Sequence, residues 1–147
     1  MPNNIYRKAA ALFSLLFVLT ACDPIISPFT EQAYENATTL KAQSLALIAK
    51  SGQPYSTHRS NVEKLLVDVD AAYEYAKGLP RNDVVSAQWD TLRNPDGNLL
   101  GGFATRWKNS GTLSPFITEE ISLQVSSAFD TIICVEINKR EASVCER

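Results

Sequence analysis

The strongest constraint on the fold lies between residues 57 and 77. Val62, Leu65, Leu66, Val69, Ala72, Tyr73 and Ala76 recur there at steps of three and four. That spacing puts them on one stripe of an α-helix and fits no strand of period two. Gly78 and Pro80 end the pattern, while Ser60 and Glu63 have capping-box spacing and offer a later start. A stripe this long needs partner helices to cover it.

The rest of the chain supplies them. Phe29, Ala33, Ala37, Leu40, Leu47 and Ile48 mark a helix over 28–51, with Ser27 as cap, Pro28 at the first helical position and Gly52 as terminator. Asn82 caps a third helix over 83–93. The run Asn94-Pro95-Asp96-Gly97 is a turn signal, and a shorter helix resumes over 98–109 through Leu99, Leu100, Phe103 and Trp107. Within it, Gly101-Gly102 weakens the helix by up to about 1 kcal/mol per glycine relative to alanine. A last helix covers 115–138 after Ser114, with Ile117, Ile121, Val125, Ala128, Ile132 and Val135 on one face. Its largely β-branched Ile132–Val135 stretch suits a strand taken alone, but no second apolar run exists to pair with it. The expected fold is all-α: an antiparallel bundle of four to five helices over 28–140, the third helix broken near Pro95–Gly97, followed by a tail at 141–147.

Residues 1–22 read MPNNIYRKAAALFSLLFVLTAC. Arg7 and Lys8 precede an apolar run from Ala9 to Leu19, the length of a signal-peptide core and too short to span a bilayer comfortably. The run ends in Leu19-Thr20-Ala21-Cys22, which resembles the lipobox of bacterial lipoproteins. That resemblance implies cleavage after residue 21 and acyl lipid on Cys22. Asp23 in the next position resembles an inner-membrane retention signal, which favours the periplasmic face of the inner membrane, with the outer membrane as alternative. Residues 22–27 form a short tether that reaches at most about 20 Å. For the mature part, AYEYAKGLPRND and NLLGGF resemble segments of small helical bacterial proteins without an assigned activity.

Cleavage would leave 126 of the 147 residues, sufficient for one core without a metal. Arg7 and Lys8 are two of 14 basic side chains, so 12 would remain against 16 acidic, a net −4. No basic cluster survives in the mature part, which argues against nucleic acid and against electrostatic binding to anionic lipid.

With Cys22 lipidated, Cys134 and Cys145 remain, in an exported chain where thiols oxidise. A straight helix through both would hold their Cα atoms about 16 Å apart, beyond bridging. A disulfide therefore requires the last helix to end near Asn138 and the tail to fold back. The alternative is a buried Cys134 and a frayed tail with a free thiol.

The pattern of reactive residues points to no catalytic, cofactor or metal motif. His58 is the single histidine, expected to be solvated or capping at the start of the second helix. Asn94, Asp96 and Asn98 alternate as in a calcium loop, but Leu99 and Thr105 stand where that loop requires Gly and Glu. Glu31, Glu35, Glu119 and Glu120 suit helix N-termini. The segment 89–115 is unusual in carrying both tryptophans among glycines and prolines. Trp89, Arg93, Phe103, Arg106 and Trp107 are therefore candidate interface residues, unless the aromatic rings fill the core. The functional expectation is a lipid-anchored, non-enzymatic module that binds an envelope protein. The alternatives are a binder of a small apolar or aromatic ligand, with Tyr73 beside the three rings, and a carboxylate-dependent envelope hydrolase.

Overall fold

The computed structural model describes residues 27–139 and Cys145. The leader, Cys22, Asp23 and most of the tether lie outside the described residues, as does the tail apart from Cys145. Five helices make up the described part: α1 (Glu31–Ile48), α2 (Tyr55–Gly78), α3 (Asp83–Arg93), α4 (Leu100–Ser110) and α5 (Pro115–Ile137). No strand occurs among the described residues, and Ile132–Val135 is helical.

Contacts at the two ends fix the topology. At one end, Ser27 N–H bonds the Arg81 carbonyl at 3.1 Å, and Lys139 reaches Asn82. At the other, Leu113 N–H bonds the Ser51 carbonyl, and the Ser51 and Thr118 hydroxyls meet at 2.8 Å. Thus α1 runs away from the Ser27 end, α2 returns, α3 and α4 together run out again, and α5 returns. The architecture is an up-down-up-down bundle of four rods whose third rod is broken in two. The most extensive pairing joins α1 to α5, and α2 packs against both α1 and α3.

Helix starts differ from the expected ones for tertiary reasons. The Ser27 hydroxyl turns to the Pro28 carbonyl while its N–H is held by the Arg81 carbonyl, and α1 begins later, with Thr30 as cap and its hydroxyl accepting from Ala33 N–H. Helix α2 begins at Tyr55, ahead of both 57 and the Ser60 box, because Tyr55 N–H bonds the Gly111 carbonyl at 2.7 Å and needs no side-chain cap. Asn82 does precede α3, yet its side chain does not cap it; the amide donates to the Ala76 carbonyl instead. Ser114 caps α5 through Ile117 N–H as expected.

The core runs the length of the bundle. Val62, Leu65, Val69, Ala72 and Ala76 of the founding stripe are buried, whereas Leu66 and Tyr73 at its margin are partly covered. They meet Ala37, Leu40, Leu47 and Ile48 from α1 and Ile121, Val125, Phe129 and Ile132 from α5.

The glycine pair in α4 permits the break in the third rod. A Cβ on Gly101 would overlap the Arg93 carbonyl oxygen and come within 2.5 Å of the Asn94 oxygen, and one on Gly102 would overlap the Gly97 carbonyl. The first turn of α4 lies directly on the last residues of α3 and on the turn between them. The helix-weakening pair is the feature that lets two backbones touch. Gly102→Ala should therefore destabilise the fold by about 2 kcal/mol or more, since backbone must shift to admit the methyl. Gly78→Ala, with nothing within 4 Å of the added atom, should be neutral or stabilising by up to about 1 kcal/mol. Urea denaturation of the two variants measures the contrast; equal stabilities would contradict the close approach.

Candidate functional site

The aromatic segment is folded inward. Trp89, Phe103 and Trp107 are 3%, 2% and 0% exposed, which removes their side chains from any interface. Trp89 meets Phe129 edge-on, and Trp107 packs among Phe103, Tyr55 and His58. The Trp107 indole N–H donates to the Gln53 carbonyl at 3.0 Å, tying α4 to the α1–α2 connection. These rings pack on one another and on their neighbours, and Tyr73 sits apart from them under Arg93. Burial follows from the break after α3, which turns the ring-bearing face of α4 toward α2.

His58 also departs from expectation. It is buried beside Trp107, with Nε2 2.7 Å from Gln53 Oε1. The Gln53 side chain and carbonyl thus bind His58 and Trp107 respectively. No signal in the sequence marked this contact, because Gln53 lies in a loop.

Arg93 is engaged inside the molecule. Its guanidinium stacks 3.9 Å from the Tyr73 ring centroid and pairs with Asp90 and Asp70 at 2.7 and 3.1 Å. It clamps the end of α3 to the middle of α2. Of the five candidate interface residues, only Arg106 presents an exposed side chain.

Arg106 leads to a surface that the sequence did not single out. With Phe116 and Glu120 it lines a hollow of about 280 Å³ beside α5. Phe116 is 73% exposed, and Leu123, seven residues on, is 63% exposed. Seven residues are nearly two helical turns, so both lie on one outward stripe about 10 Å apart. Leu123 also borders a second hollow of about 420 Å³, lined by Gly52, Leu113, Pro115 and Thr118. Two exposed apolar side chains flanked by hollows therefore occupy the end of the bundle remote from Ser27. The expected signal was α5's core face, and the outward residues were hidden by that helix's high apolar content on all sides.

A shallower groove of about 560 Å³ runs between α1 and α2, with Glu35 on one wall and Asp68 on the other. Lys64 engages Asp68, and the remaining lining includes Gln32, Asn36, Thr39 and Gln43.

The Ser27 end carries a buried polar cluster and the disulfide. Cys134 and Cys145 are bonded with Cα atoms 5.7 Å apart, which the end of α5 at Ile137 and the turn at 138–139 allow. Nearby, Glu136 and Lys139 are 1% and 4% exposed. The Lys139 ammonium lies 3.1 Å from Glu136 Oε1 and donates to Asn82 Oδ1. Lys139 acts on Glu136 first through charge and then through hydrogen bonding, and no other described group donates to either carboxylate oxygen. Burial pushes the Glu136 carboxyl above its ordinary range, and Lys139 offsets only part of that push.

Two predictions follow from this end. Removing the Cys134–Cys145 bond by Cys145→Ser should cost about 3 kcal/mol in the chain-entropy account of so short a loop, read as a lower urea midpoint than the oxidised protein. Glu136 contributes stability that is complete below the ordinary carboxylate range and is lost as pH rises through its raised folded value. Lys139→Met should steepen that loss and cost about 3–5 kcal/mol at neutral pH, whereas the double replacement with Glu136→Met should recover most of it. Denaturation midpoints across acid to neutral pH check both signs.

Among the described residues, no helix is long and apolar enough to cross a membrane, and no group of three or more His, Cys, Asp or Glu is placed to hold a metal ion. No protein-family model, curated protein or solved structure matches the chain.

Proposed function

We propose that this chain is a lipid-anchored cell-envelope protein that acts by binding another envelope protein through the outward stripe of α5. The observation that carries the binding role is the pair Phe116 and Leu123, exposed on one face and flanked by hollows. Large apolar side chains held in water beside concave surface are what a partner's side chains can cover. Arg106 on the rim supplies a directional donor for an acidic or carbonyl group.

Two features support the envelope location. The Leu19-Thr20-Ala21-Cys22 box follows a charged and then apolar leader. The Cys134–Cys145 bond suits an oxidising compartment. Cys22 would then be the anchor and Asp23 its sorting neighbour, favouring the periplasmic face of the inner membrane.

A photo-crosslinking residue at Leu123, in cells, should yield one discrete protein adduct that Phe116→Ala weakens. The same residue at Glu63, on the exposed face of α2, should not. Identical adducts from both positions, or none from Leu123, would contradict the assignment of the binding face.

A further inference from the structure

The Ser27 end of the bundle has a composition suited to a different neighbour. Phe29 just ahead of α1, Tyr34 in its first turn, Val84 in the first turn of α3 and Ile137 at the close of α5 are 52%, 36%, 52% and 56% exposed. The Phe29 and Tyr34 rings pair with centroids 6.3 Å apart, so they form one aromatic unit. These elements converge through the Ser27–Arg81 and Asn82–Lys139 contacts. Exposed apolar side chains from three helices therefore gather around one end of the molecule.

We infer that this end rests on the bilayer that carries the anchor, with Phe29, Tyr34, Val84 and Ile137 at the level of the lipid headgroups. This rests on the lipid-anchor reading of Cys22. Three observations choose lipid as the occupant. First, Cys22 lies five residues before Ser27, a reach of about 18 Å at full extension, so a lipid on it keeps this end within that distance of the headgroups, close enough for direct contact. Second, Ser27 is 2% exposed and bonded to Arg81, so the point where the chain joins the bundle is fixed at this end. Third, aromatic and aliphatic side chains with a polar rim are the composition that partitions into a bilayer interface. The charges near this end are mixed: Glu31 and Asp83 lie in first turns of their helices, Lys77 lies in a last turn and Arg81 follows it in the connection, and the Glu136–Lys139 pair is buried. The contact is therefore apolar and does not require anionic lipid.

The orientation separates the two surfaces. With the Ser27 end on the membrane, Phe116 at the start of α5 stands at the far end of a 23-residue helix, about 30 Å away. The partner-binding stripe would face outward from the bilayer.

The test uses the full, membrane-extracted chain in phosphatidylcholine vesicles whose acyl chains carry bromine close to the glycerol. Bromine quenches tryptophan on contact, and the native Trp89 and Trp107 are buried and supply a constant background. Phe29→Trp and Ile137→Trp should each add emission that brominated lipid removes in large part. Phe116→Trp should add emission that brominated lipid leaves unchanged. Equal quenching at positions 29 and 116, or none at 29 and 137, would overturn the orientation; a protein or a second copy covering this end would give that second result. The intact mass of the same preparation keeps the premises apart. A lipidated chain without quenching refutes the orientation alone, whereas an unmodified Cys22 refutes the anchor reading and the orientation with it.

Discussion

The structure depends on one contact between backbones. The first turn of α4 sits against the carbonyl groups that end α3, in a space that a single methyl group would fill. That contact lets the third rod of the bundle break and resume without leaving the bundle. Because it resumes displaced, α4 directs Phe103 and Trp107 inward against Tyr55 and His58, while α3 sends Trp89 to Phe129 on α5. A continuous helix through 83–110 would carry these rings on a different set of faces. The pair Gly101-Gly102 weakens its own helix but, by lacking side chains, allows the close approach that sets Phe103 and Trp107 into the core.

Much of this architecture is legible in the residues because it rests on local chemistry. The stripe from Val62 to Ala76, the stop at Gly78 and Pro80, and Ser114 before Pro115 each act within a few residues. They define the rods and their order. The turn at Asn94–Gly97 announces the broken third rod, and the geometric need to fold the tail back anticipates the end of α5 near Asn138. What escaped the sequence is tertiary. Ser27 is drawn from its cap position by Arg81, Asn82 turns from α3 toward Ala76 and Lys139, and Gln53 engages His58 from a loop. The partners of Ser27 and of the Asn82 oxygen lie more than fifty residues away, while the Gln53–His58 and Asn82–Ala76 bonds span only five and six residues but cross from a connection to a helix.

The candidate surfaces follow the same division. Aromatic and basic residues gathered in 89–115 look like an interface in one dimension, yet most of that group is consumed by the core or by the Arg93 clamp on Tyr73. Exposed Phe116, Leu123 and Ile137 are inconspicuous in the sequence, since α5 contains apolar residues in every direction, and Phe29, which the spacing assigns to the buried stripe of the first helix, stands 52% exposed because α1 starts only after Thr30. Only the packing of the rods reveals which of them water still touches. Those exposed groups lie at both ends of the bundle, and the proposed division of labour assigns one end to lipid and the other to a partner.

The proposed envelope role requires that the chain be exported, anchored through Cys22 and oxidised. Intact-protein mass spectrometry of the chain extracted from membranes, without reductant, tests it in one spectrum. The expected species begins at Cys22, carries a diacylglyceryl group with or without a further acyl chain, and gains the mass of two hydrogens on reduction of the Cys134–Cys145 bond. A chain that retains residues 1–21, or one with an unmodified Cys22 and two free thiols, would contradict it.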